Sequence, residues 1–356
     1  MRFILKLFKW LAVALILLVI GLASPIAYVE LACHAPVTSD PYKPLITDAA
    51  FQRKEANTYL TYPEWHIVYA YDGIAEALKT GDEHEFSYIP SIWNFWKSTC
   101  ALTGIADRHG GADSQTRTMI YTIGASFTLE MGLKGAYEET IGRIFAGIRG
   151  PVKTPQDEVA AAMAVDYAAF LRQTPWYKYD FEKQVDTLWA APMIDPARGW
   201  ERRLALGGEW KAKTFYAGAI AAGVSATGEA KLEIRSVIAD LTADQLRQMP
   251  DVKIISEQAD GVVIETPRYD SFTKILIAIA KAGGQIREIA GNDDIMVSAT
   301  VEPEKEYTGP GEVIARIGRE GFATERVLVN MKVTELAGLL ASQPLADPGI
   351  EHVFDY

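Results

Sequence analysis

The order of helix and strand patterns predicts an N-terminal transmembrane helix, a mainly α-helical domain, and an α/β (α+β) ferredoxin-like C-terminal domain with an extra β-α-β unit. Three observations carry this. Residues 10–29, WLAVALILLVIGLASPIAYV, hold no charge. Apolar and small residues then recur at helical spacing to about residue 228. After Glu229, short runs rich in Ile and Val and bounded by Gly, Asp and Pro replace that rhythm. The expected domains are 1–30, 31–228 and 229–356. At 356 residues, 49% of them hydrophobic and 23% charged, the chain has enough apolar material for packed cores and too much for wholesale disorder.

The first thirty residues place the protein. MRFILKLFK carries Arg2, Lys6 and Lys9 and no acid. At 1.5 Å per residue, the uncharged run that follows spans a hydrocarbon core of about 30 Å. Trp10 and Tyr28 stand near its ends, where amphipathic rings favour the interface. The nearest charge beyond it is Glu30, and the first base is Lys43. Positive charge before the span and acid after it predict a single-pass protein of the cell membrane. Its N-terminus is then cytoplasmic and its bulk extracytoplasmic, periplasmic in a Gram-negative cell. A cleaved signal peptide is disfavoured because its apolar region runs to only roughly 7–15 residues before a small-residue cleavage site. ELAC at 30–33 approaches a lipoprotein box, but Glu30 sits where an aliphatic residue is needed. Cys33 and Cys100 are the two cysteines and form a disulfide candidate in an oxidising compartment.

A Pro-rich lead-in, APVTSDPYKP, precedes the helices. Thr61-Tyr62-Pro63-Glu64 fits a capping box, with a hydroxyl, proline at the start and glutamate three residues on. On the helix it opens, Pro63, Ile67, Tyr71, Ile74 and Leu78 share one apolar face, and Glu64, Asp72, Glu76 and Lys79 lie opposite. A second helix is expected over Ser91–Ile105. A third, from Gln115 to Ile148, is apolar or small on every side between Met119 and Leu129. Thr154-Pro155-Gln156-Asp157 opens another, to about Arg172. FYAGAIAAGVSATG at 215–228 is uncharged but too short for a second span.

In the C-terminal part, LEIRSVIA, VKIISEQ, VVIET and IMVSATVE read as strands, with TADQLRQM and SFTKILIAIAKA as helices between them. That is β-α-β-β-α-β, the ferredoxin-like order. After TGPG at 308–311, VLVNMKV, TELAGLLAS and IEHVFDY add a β-α-β unit. VIADLTADQL and VNMKVTELAG share a strand-into-helix pattern that points to a degenerate repeat. Of the net charge of −11, this region supplies most, with 22 acids against 13 bases. No basic stripe accompanies the aromatics, which excludes nucleic-acid binding.

Ten aromatics crowd residues 59–96, a density that builds either a core or a ligand pocket with apolar walls. Trp65, Tyr69, Tyr88, Trp93 and Trp96 are the candidate ligand-binding residues. His66 is the best acid–base candidate, because its ordinary pKa lies near neutrality. Glu64, two residues away, points about 200° around the helix from it, so a partner must come from another helix. Glu130, at the end of the all-round apolar run, is that candidate. The chain holds no HExxH, CxxC, P-loop or GxGxxG opening a helix, so no metal or cofactor is expected. The leading expectation is a membrane-anchored binding or assembly protein contacting a lipidic ligand or a membrane-protein partner. The alternative is an acid–base enzyme acting on a membrane-derived substrate through His66 and Glu130.

Overall fold

The computed structural model describes residues 2–38, 42–227, 231–342 and 346–356. The expected boundary at 228–229 and part of the lead-in, 39–41, lie outside them. Helix α1 (Arg2–Ala32) contains the span: Lys9–Ala32 is long and apolar enough to cross a membrane, and none of its most apolar stretch is buried by the described residues. By length and composition this suits an anchor or a signal sequence. Its last turn enters the helical region, where Val29 is buried and Cys33 forms a disulfide with Cys100, Cα to Cα 5.1 Å.

The helical region consists of α2 (Ala56–Leu60), α3 (Tyr62–Thr80), α4 (Tyr88–Arg108), α5 (Ser114–Tyr137), α6 (Arg143–Arg149), α7 (Pro155–Leu171), α8 (Phe181–Ala190) and α9 (Pro196–Thr227). A π-turn, Glu138–Gly142, joins α5 to α6, so the single helix expected over 115–148 carries one wide turn. Asp113 caps α5 through the Thr116 N–H, and at the expected start of α7 Thr154 forms a reciprocal box with Asp157.

The box at Thr61 does not form. Thr61 keeps helical backbone angles (φ −74°, ψ −28°) between α2 and α3. Its hydroxyl bonds the Asn57 and Asp355 carbonyls instead, and its N–H goes to Asn57. Because α2 runs almost directly into α3, there is no free helix start to cap. The single apolar face expected of α3 is also too narrow a description. Trp65, His66, Tyr69 and Gly73 are buried along with Tyr71, Ile74 and Leu78, because a β-sheet covers the side opposite the other helices. A Cβ on Gly73 would lie 2.5 Å from the Glu320 carbonyl oxygen, so the loop after the sixth strand rests on bare backbone there.

The C-terminal domain contains two four-stranded antiparallel sheets. The first uses β1 (Glu233–Ala239), β2 (Lys253–Gln258), β3 (Gly261–Pro267) and β4 (Gln285–Ile289), in the order β2-β3-β1-β4. The second uses β5 (Asp294–Val301), β6 (Glu312–Gly318), β7 (Glu325–Lys332) and β8 (Gly349–Val353), in the order β6-β7-β5-β8. Both follow the pattern second–third–first–fourth. The repeat therefore lies in strand order and aligns β1 with β5, not with β7 as VNMKVTELAG suggested. Helices α10 (Ala243–Arg247), α11 (Asp270–Lys281) and α12 (Val333–Ser342) complete the domain.

IMVSATV does not close the first sheet; it opens the second. QIREI takes the fourth place, and EVIARIG is an additional strand. Both were hidden by composition, since QIREI is short and carries two charges and EVIARIG is an exposed edge strand. Side chains from α11, α12 and both sheets form one aliphatic core. The other face of the first sheet is covered by Ile46 and its neighbours in the lead-in, whose N–H groups bond the buried Glu288 carboxylate. The other face of the second sheet lies on α2 and α3.

Candidate functional site

The aromatic stretch is the joint between the helices and the second sheet. Trp65 stacks on His352 with ring centres 3.7 Å apart, and Tyr62 meets Phe354 edge-on at 5.7 Å. The Arg326 guanidinium lies 3.5 Å from the centre of the Tyr69 ring and pairs with Glu351. Tyr88 donates its hydroxyl to the Glu83 carbonyl at 2.9 Å, and Trp96 donates Nε1–H to Thr128 at 2.9 Å. Trp65, Tyr69, Tyr88 and Trp96 are all buried. Trp93 is 69% exposed on the outside of α4.

His66 is buried among Tyr62, Phe95 and Phe127, with Nε2 2.9 Å from the Ser91 carbonyl oxygen. That carbonyl can only accept, so Nε2 carries the proton. Burial, reinforced by the Arg326 charge, pushes the imidazole down to about 3 and holds it neutral. Glu130 belongs to a different set of contacts. Tyr71 donates its hydroxyl to Glu130, and Lys213 on α9 lies 2.7 Å from the same carboxylate. His66 and Glu130 share no hydrogen bond among the described residues.

The group around Glu130 links α5 to α9 and reaches the surface at Glu130. Lys213 Nζ lies 2.5 Å from the Tyr71 hydroxyl and 3.6 Å from Glu209, which also pairs with Lys134 at 2.8 Å. Burial disfavours the Lys213 charge, but Glu130 and Glu209 hold the ammonium well above its ordinary range. Burial and the Glu130 carboxylate push the Tyr71 hydroxyl well up, so it stays a proton donor. Beside it lies a cavity of about 20 Å³ walled by Ile74, Leu78, Met163, Leu206 and Trp210. That is room for about one water. The sequence offered a signal for this group in the i, i+4 pair Glu209–Lys213 on the face of α9 that also carries the buried Trp210 and Leu206.

A second network lies deeper. Arg149 grips Asp82 with two bonds, 2.8 and 2.9 Å, and reaches Asp157 at 3.0 Å. Arg198 meets Asp157 at 2.8 Å and Glu201 at 2.9 Å. Arg202 meets Glu83 at 3.0 Å and Glu138 through two bonds of 3.1 Å, the latter presented by the π-turn. Lys153 adds a contact to Asp82 at 2.7 Å. Burial would raise Glu83, but Arg202 and Arg198 hold it down. Glu138 is pushed up by burial and by the neighbouring Glu83 carboxylate, against the pull of Arg202. Asp82, Glu83 and Asp157 stand close enough to share a metal ion, yet the guanidinium groups already fill that role. Glu55, His109 and Asp294 form another such group; there His109 bonds Glu55 and Lys332 lies 2.7 Å from Asp294.

Comparison with family models, with curated proteins and with solved structures finds no match to this chain.

Proposed function

We propose that the chain is a single-pass membrane protein that serves as a binding or assembly factor, contacting a lipidic ligand or a membrane-protein partner. The N-terminus is cytoplasmic and the bulk extracytoplasmic, periplasmic in a Gram-negative cell. Arg2, Lys6 and Lys9 before the span and Glu30 after it support that orientation. The disulfide at the exit of the span suits an oxidising compartment. The observation that carries the binding reading is the placement of the aromatics. Their bulk fills an interior joint, while Trp93 stands 69% exposed on the outer side of the same region. The first sheet with α10 and α11 reads as a ferredoxin-like unit, the second repeats its strand order with α12 alone, and the pair serves as a docking or regulatory body.

The alternative, an acid–base enzyme acting on a membrane-derived substrate, draws support from Glu130. Its partners would be Lys213 and Tyr71, because His66 is locked on a carbonyl. Native mass spectrometry on the full-length protein, gently extracted from its own membrane, tests both. A reproducible added lipid mass or partner polypeptide is expected. A bare chain, together with loss of function in a folded Glu130→Gln variant, would replace binding by catalysis.

A further inference from the structure

A long helical run that packs one side into a core should turn a charged side to water. The run α5–π-turn–α6 does not. Its buried positions recur every three or four residues from Ile120 to Ala146. Opposite them stand Leu129, Leu133, Ala136, Ile141, Ile144 and Ile148, none of them charged, with Thr140 among them turning its hydroxyl onto the Ala136 carbonyl. Leu133, Ile144 and Ile148 are 65%, 61% and 65% exposed. The nearest exposed charges, Glu139 and Arg143, sit to one side and pair with each other. An apolar strip this long on a surface has a partner.

The contacts with α1 indicate which partner. From Cys33, bonded to Cys100, the chain passes to Ala35, whose N–H meets Asp107, and on to Thr38, bonded to Asp107 and Arg108. The exit of the anchor thus climbs α4 toward its C-terminal end. Helix α5 runs back against α4, because Trp96 bonds Thr128 and a Cβ on Gly135 would press on Tyr88. Tyr121 meets Glu30 at the top of the anchor. Everything in α5 beyond Tyr121, and the N-terminal end of α4, therefore lies on the side from which α1 arrives. Ile89 and Trp93 at that end of α4 are 70% and 69% exposed.

Length decides between spanning and lying flat. Ile148 is roughly 40 Å from Tyr121 along the helix, more than the hydrocarbon thickness of about 30 Å. The run also leaves α1, whose apolar stretch stays uncovered. It must cross the membrane surface obliquely. We propose that this face of α5–α6, with Ile89 and Trp93, lies in the leaflet nearest the C-terminal end of α1, as an interfacial helix touching lipid. The inference rests on the anchored reading above and names the lipid bilayer as the partner of the exposed apolar side. Glu139 and Arg143 then remain at headgroup level.

Spin labels in nanodiscs of phosphatidylcholine and phosphatidylglycerol test this on the full chain. Single labels are placed at Leu133→Cys, Ile144→Cys, Lys253→Cys on the C-terminal domain and Ile16→Cys in the anchor. Oxygen accessibility relative to a water-soluble nickel chelate should be several-fold higher at Leu133 and Ile144 than at Lys253. Nickel access at Ile144 equal to that at Lys253 overturns the proposal. So does a label reached by neither reagent, which means that protein covers the face. A water-like ratio at Ile16 would instead sink the anchored reading itself.

Discussion

The two halves of the molecule solve the same burial problem with opposite chemistry. In the C-terminal domain the space between the sheets is aliphatic: Leu276, Ile279, Leu336 and Leu340 are wholly buried among Ile and Val from both sheets. In the helical region, Arg198 and Arg202 are just as deeply buried, amid five carboxylates. Apolar contacts are non-directional and tolerate small shifts, whereas a buried ion pair is stable only while its geometry and partners are complete. The first core should yield gradually to substitution and the second abruptly.

The sharpest way to break that contrast is a swap of similar volume in each core. Arg202→Met leaves Glu138 without its guanidinium and Glu83 with Arg198 alone, and should cost about 3–5 kcal/mol. Leu276→Met keeps volume and chemistry and should cost less than about 1.5 kcal/mol. Urea unfolding of the full-length protein in mild detergent reads both. Equal midpoints for Arg202→Met and the parent would mean that the ionic core does not hold the helices together. Leu276→Ala, at about 2–5 kcal/mol, calibrates the scale.

A pH series sharpens the comparison next. His66 is pushed down to about 3 from the usual 6.5, and burial, aided by the Arg172 charge, takes His352 well below it too. A base with a depressed folded pKa contributes stability that is complete above its unfolded value and lost as pH falls toward the folded one. Stability should therefore decline from about pH 6.5 downward, by up to about 1.4 kcal/mol per pH unit for each histidine. The paired acids act lower. Asp82, Glu83 and Asp157 are held below their usual values of 3.8, 4.5 and 3.8, against the effect of burial, by arginine and lysine, so their contribution fails only beneath those values. His66→Gln can still donate to the Ser91 carbonyl and should flatten the upper slope. An unchanged slope would place the pH response elsewhere.

What was legible in the sequence follows the same division. The apolar faces of α11 and α12, the box at Thr154 and the uncharged span are local patterns, written within a dozen or two residues. The ionic core joins residues 82–83, 138, 149–157 and 198–202, and no local window contains it. Its one local trace is the spacing Arg198, Glu201, Arg202 on α9, which reads as a solvated face until the neighbouring helices are in place. The candidate pair His66 and Glu130 shows the limit from the other side. Residue type nominated both, but only the packing reveals that Ser91 occupies one and Tyr71 and Lys213 the other.

Glu64 gives the smallest and most discriminating effect. As a cap it would stabilise α3, and Glu64→Gln, which can also reach back to a backbone N–H, would change little at any pH. The fold gives it another role. Burial, opposed by Arg268 and reinforced by Asp355, pushes its carboxyl up to about 6 from 4.5. An acid with a raised folded pKa contributes stability that is present below its unfolded value and lost as pH rises through the folded one. Ionised Glu64 is thus a strain at neutral pH, and Glu64→Gln should gain on the order of 1 kcal/mol at pH 8 and nothing at pH 4. A variant no more stable than the parent at pH 8 would return Glu64 to a surface role and show that α3 is less enclosed than the rings around it imply.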